Sequence, residues 1–114
     1  MALYDNKIFA STSNTSNGEV SSATRFYYHQ TDSIVWAEYS GGSIVKGSLI
    51  AAVKENNCLE MRYHHINTDG EIMAGKCFST PEVLSDGRLR MHEKWEWVTG
   101  DKSSGESVIE EVRD

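Results

Sequence analysis

Proline is almost missing from this chain: Pro81 is the single one among 114 residues. Helix signals are missing as well, since no window combines a 3.6-residue apolar period with capping residues. No apolar run approaches the ~18 residues of a membrane-spanning helix, which argues against a membrane partner. Positive charge is sparse: eleven Lys and Arg face seventeen Asp and Glu, for a net charge of −6. Phosphate backbones are held by clustered Lys and Arg, and no such cluster stands out, which argues against nucleic acid as the main partner. Cysteine is limited to Cys58 and Cys77. The opening Met1–Lys7 lacks a charged stretch followed by an apolar one. No signal peptide is therefore expected, and the protein is read as cytoplasmic with free thiols. Motifs for a cofactor are lacking too: Gly100-Asp101-Lys102-Ser103-Ser104-Gly105 does not have the spacing of a phosphate-binding loop.

The positive signal is period-two alternation, punctuated by glycine and polar turns. The clearest run is Gly87–Val98. Leu89, Met91, Trp95 and Trp97 fall on one side, and Arg88, Arg90, His92, Lys94 and Glu96 on the other, the pattern of a strand with one buried face. With 88–98 as the seventh strand, the runs 7–13, 23–30, 34–40, 43–54, 58–67, 71–80 and 106–113 complete a set of eight. Short turns join them at Thr31-Asp32-Ser33, at Gly41-Gly42, at Glu55-Asn56-Asn57, at Asn67-Thr68-Asp69-Gly70 and at Asp86-Gly87. Pro81 to Asp86 is expected to break the sixth run. The Ser-, Asn- and Thr-rich stretch 14–22 cannot bury itself and is expected to be mobile. The length suits one domain, 1–114, with 39% hydrophobic and 25% charged residues. Consecutive strands joined by short turns make an antiparallel up-and-down meander, whose two edges invite aggregation. Pairing the eighth strand with the first removes them. The expected fold is all-β, an eight-stranded barrel, with an open, strongly bent sheet as the alternative.

Registers decide what such a barrel holds. A bulged turn at Gly70 pairs Met61 with Cys77, Tyr63 with Gly75 and His65 with Met73 on the inner face, and sends Glu60, Arg62, His64 and Lys76 outside. It leaves the two cysteines several positions apart along the hairpin, roughly 10–14 Å, beyond disulfide reach. In the fourth strand Val45, Gly47, Leu49, Ala51 and Val53 are assigned inward, with Gly47 making room opposite a large aromatic. The third strand stays open: either Ile34, Trp36 and Glu38 or Val35, Ala37 and Tyr39 face in.

Glu93 interrupts the apolar face of the seventh strand, between Met91 and Trp95. A buried charge without a partner costs several kcal/mol, which marks Glu93 as a site. The expected interior contains Glu93, Trp95, Trp97, Tyr63, His65 and Tyr28: aromatic walls with polar tips, and a carboxylate to orient a ligand. The plainer reading is a core in which Glu93 accepts a hydrogen bond from a buried Tyr or Trp. No metal is expected, because His64 and His65 are strand neighbours that point to opposite faces. Cys77 beside His65 reads as a small buried hydrophobe before it reads as a nucleophile.

Val35-Trp36-Ala37-Glu38-Tyr39-Ser40-Gly41-Gly42, Gly75-Lys76-Cys77, His92-Glu93-Lys94-Trp95-Glu96-Trp97 and Ser103-Ser104-Gly105-Glu106-Ser107 resemble a family of small bacterial proteins often labelled N-acetylglutamate synthase. The resemblance spans nearly the whole chain, and Glu-x-Trp-x-Trp is its most specific part. It implies a single β domain. The labelled activity calls for helices and a coenzyme A cradle, or for a much larger kinase domain, and this sequence has neither pattern. By strand pattern the chain is also similar to the calycin group of ligand-binding barrels, although it lacks the Gly-x-Trp that lipocalins usually show near the first strand. Three readings of function are open: a module binding a small molecule in its interior, a small enzyme using Glu93 and His65 as acid and base, or a packed barrel acting through its surface.

Overall fold

The computed structural model describes residues 3–113. Met1 and Ala2, on which the reading of the N-terminus partly rests, lie outside the described residues, as does Asp114. Among the described residues eight strands succeed one another: β1 Lys7–Asn14, β2 Arg25–Thr31, β3 Ile34–Gly41, β4 Ile44–Val53, β5 Leu59–Asn67, β6 Ile72–Val83, β7 Leu89–Trp97 and β8 Ser104–Glu111. Every neighbouring pair is antiparallel, and β8 pairs with β1, so the sheet is a closed barrel. The open-sheet alternative is ruled out by that closure.

Side chains alternate across the barrel wall as the sequence pattern requires. Phe9, Phe26, Tyr28, Leu49, Met61, Leu89, Met91, Trp95, Trp97 and Ile109 are all buried inside. The β5–β6 register is the expected one, with Met61 opposite Cys77, Tyr63 opposite Gly75 and His65 opposite Met73. Both cysteines are free. On β3 it is Val35, Ala37 and Tyr39 that point inward.

Three expectations need correction. Val45 faces solvent, because a bulge between Ile44 and Lys46 inserts one residue and turns Ile44 inward instead. Pro81 does not end its strand, since β6 runs on to Val83 with Pro81 opposite Met91 of β7. The reason is the length of the neighbour: β5 begins at Leu59, opposite Ser79, so Pro81 lies where β6 has no partner on that side and its missing N–H breaks no ladder. The stretch between β1 and β2, expected to stay unburied, is half-buried at Gly18, Glu19 and Val20 and folds across one end of the barrel, where Trp97 Nε1 donates to the Asn17 carbonyl. The opposite end is plugged by residues ahead of β1. Tyr4 is fully buried and donates its hydroxyl to the Asn57 carbonyl, and its N–H donates to Gln30 Oε1 at 2.9 Å.

The barrel is narrow, and its large inward rings lie over glycines on the adjacent strand. Tyr39 covers Gly47, Tyr63 covers Gly75, and Trp95 covers Gly105. A Cβ at Gly47 would sit 2.5 Å from Cε2 and Cζ of Tyr39, so the ring has to move for any other residue. Gly47→Ala is expected to cost about 1–3 kcal/mol by overpacking, measured as a lower urea midpoint at unchanged slope. A variant as stable as the parent would show that Tyr39 repacks freely.

Candidate functional site

The site is built on β7. Alternation from Leu89 carries Met91, Glu93, Trp95 and Trp97 to the inside, and the register then selects their neighbours. Ser79 of β6 and Ser107 of β8 stand directly opposite Glu93 on either side. Their hydroxyls donate to Glu93 Oε2 and Oε1, each at 3.2 Å. Glu93 is therefore held at the mid-height of the barrel by two short polar side chains and no cation.

Glu93 is half-buried as a residue, but its carboxyl is enclosed by protein. This enclosure raises the Glu93 carboxyl to about 7, against the downward pull of the Ser107 and Ser79 hydroxyls. Tyr28, Tyr63 and Cys77 face it. Burial first, and the nearby carboxylate as well, push their protons on more tightly. Cys77 is thus a protonated, apolar wall residue rather than a nucleophile.

The interior is not completely filled. A cavity of about 50 Å³ is lined by all the residues expected from the sequence, namely Tyr28, Tyr63, His65, Glu93, Trp95 and Trp97. Tyr39, Phe26, Ser107, Asn14, Glu19 and Val20 also contribute to its wall. Trp95 and Trp97 are tilted with ring centres 5.6 Å apart, and Tyr63 meets Trp97 edge-on at 5.7 Å. The Tyr28 hydroxyl, on a side chain 1% exposed, has no hydrogen-bond partner among the described residues.

His65 stands higher, at the mouth. Tyr39 Oη lies 2.9 Å from its Nδ1 and Glu19 Oε1 lies 2.7 Å from its Nε2. A carboxylate only accepts, so Nε2 carries the proton, and in the neutral ring Nδ1 accepts from Tyr39. Glu93 and His65 share the cavity but do not bond to each other, each being engaged elsewhere. His64 points out of the barrel.

Glu19, Ser79 and Ser107 are not legible in the sequence as site residues. The serines become neighbours of Glu93 only once the register is known. Glu19 does leave a trace, as the single charged residue between Ser11 and Thr24.

A closed barrel with a plugged base, aromatic walls and a polar group at its centre is of the calycin type. The chain matches the avidin-like proteins over residues 2–112 and belongs to that family. No curated protein and no solved structure matches it. The N-acetylglutamate synthase label of the small proteins it resembles finds no support, since the matching family is a barrel family.

The raised Glu93 carboxyl makes a signed prediction. Its unfolded counterpart ionises near 4.5, so between there and 7 the folded state holds a proton the unfolded state has lost. The stability linked to Glu93 is complete below that window and falls as pH rises through it, by roughly 3 kcal/mol in all. Glu82, Asp86, Asp101 and Glu111 act in the opposite sense, because hydrogen bonds and cations hold their carboxyls low. Subtracting Glu93→Gln from wild type isolates the effect. Urea melts from pH 5 to 8 are expected to show the variant gaining on wild type by about 2–3 kcal/mol. A difference independent of pH would mean that Glu93 is already ionised at pH 5.

Proposed function

We propose that this protein binds a small molecule in its barrel, with Glu93 and the Tyr28 hydroxyl as polar anchors. Trp95, Trp97 and Tyr63 are the walls, and His65 stands at the mouth. The observation that carries this reading is the orphaned hydroxyl of Tyr28, a residue that lines the cavity together with an enclosed carboxylate. An unsatisfied buried hydroxyl costs about 1–3 kcal/mol. A structural core has no use for one, whereas a binding site leaves it for its ligand. Membership in the avidin-like family, whose members bind small molecules such as biotin, supports the same reading.

The size of the cavity constrains the ligand. At about 50 Å³ it is far below the ~300 Å³ of a pocket for a whole drug-sized molecule. The interior takes a polar head group of a few heavy atoms, and anything longer passes the mouth. Glu93 as a carboxylate only accepts, and Tyr28 can donate. A head group with N–H donors and one carbonyl, such as an amide or urea, satisfies both.

The test is thermal melting against a panel that includes biotin, simple ureas and amides, glutamate and acetyl-coenzyme A. A ligand at a hundredfold its Kd adds about 2.7 kcal/mol, a shift of roughly 10 °C in a domain of this size. The shift should vanish in Glu93→Gln and shrink in Tyr28→Phe, while Tyr28→Phe without ligand is as stable as wild type or more so. If no compound shifts wild type and Tyr28→Phe is destabilised, the hydroxyl serves the core and the reading fails.

A further inference from the structure

The mouth of the barrel holds a second polar centre, separate from Glu93. His65 and Asn67 are 2% and 4% exposed, and both aim an N–H at the same carboxylate, that of Glu19. His65 Nε2 lies 2.7 Å from Glu19 Oε1, and Asn67 Nδ2 lies 3.0 Å from Oε2. Neither donor is aimed by Glu19 itself. Tyr39 holds His65 from the far side of its ring. Asn67 Oδ1 accepts the backbone N–H groups of Asp69 and Glu71, which turns its amide nitrogen toward the mouth. Two buried donors oriented by other partners form a preorganised receptor for a carboxylate.

The occupant comes from elsewhere. Glu19 belongs to the loop between β1 and β2, and its side chain is 25% exposed. The backbone of that loop is tied down independently, by Trp97 Nε1 donating to the Asn17 carbonyl and Asn14 Nδ2 to the Val20 carbonyl, both at 3.0 Å. The carboxylate can therefore swing into water without the loop unfolding. Asn67 also donates to Glu71 Oε1 at 3.2 Å, so a second carboxylate at the rim opposes the first and no Lys or Arg secures it.

We infer that His65 and Asn67 form a subsite for the carboxylate of a small organic acid, and that Glu19 is its built-in occupant, displaced when that acid binds. This rests on the reading of the barrel as a binding protein but concerns different residues from the interior anchors. Glu19 competes with the ligand from within, so its removal tightens carboxylate binding, the reverse of what removing a ligand-binding residue does.

The experiment uses acetate as probe, with acetamide as the uncharged control of the same shape. Glu19→Ala is expected to bind acetate about tenfold or more tightly than wild type, the scale of one charge-assisted contact. The readouts are the melting temperature and ¹⁵N signals of the His65 ring. Acetamide should move neither, and the response should be lost in Glu19→Ala/His65→Gln. If Glu19→Ala does not fold, Glu19→Gln keeps the length of the side chain without its charge and should show the same trend, more weakly. Equal responses to acetate and acetamide, or equal acetate affinity in wild type and variant, overturn the subsite. A carboxylate-bearing panel ligand lost in Glu93→Gln but bound equally by wild type and Glu19→Ala also overturns it, and leaves the interior site standing. Carboxylate binding unmasked in Glu19→Ala, with no interior ligand found, does the reverse.

Discussion

The pairing of β8 with β1 is the contact on which everything else depends. Phe9 opposite Glu111 and Ser11 opposite Ile109 close the sheet on itself. Without that seam the alternation of each strand would define two faces of a ribbon, with two open edges. With it, one face becomes an interior walled off from bulk water, and Glu93 becomes a carboxyl whose ionisation is costly. The closure is itself supported at the base. Glu111 accepts the N–H of Leu89 at 3.1 Å and pairs with Lys7 and Arg113, which joins the first, seventh and last strands around one carboxylate.

Closure also sets how much space remains. An eight-stranded barrel is just wide enough for its own side chains. This one meets the limit by pairing large rings with glycines across strands, so rings lie flat against backbone instead of meeting other side chains. Below the middle, Phe9, Leu59, Leu89, Met91 and Ile109 fill the volume. Around the cavity Tyr, Trp, His and Glu join Phe26, Leu49 and Met61 in the lining, and filling stops short. The transition falls at Glu93, flanked by two serines too small to occupy the space beside it. A mostly apolar wall with a few polar groups thus borders the open space, the composition of a pocket.

The two polar centres differ in how they are held. Glu93 is fixed by the rigid wall, through cross-strand neighbours whose positions the register dictates. The mouth is held by donors of β5 and closed by a side chain from a loop. The first kind of site is precise and slow to change, while the second can be vacated by rotation of one side chain.

Much of this is legible in the sequence, and the boundary is instructive. Leu89 to Trp97 announces a strand with Glu93 on its buried side, because period two is a local property of the chain. The Gly70 turn fixes the β5–β6 register, since only one pairing keeps Lys76 out of the apolar face. The same logic places Tyr63, His65, Trp95, Trp97 and Tyr28 in one interior. The face of β3 is not legible, because both faces offer apolar residues and a bulge beside Gly41 decides between them. Val45 goes astray for the same kind of reason, since one inserted residue reverses which side its neighbours face. Pro81 misleads because its tolerance depends on where the neighbouring strand begins. Nothing local joins Glu19 to His65 and Asn67, which lie 46 and 48 positions away. The sequence by itself determined which residues are strand and which side of most strands is apolar, because both depend on spacing along the chain. Only the tertiary structure decided which side chains meet across strands and which side chain covers the mouth, because those depend on register, bulges and closure, and each can be changed by a single residue without altering the pattern.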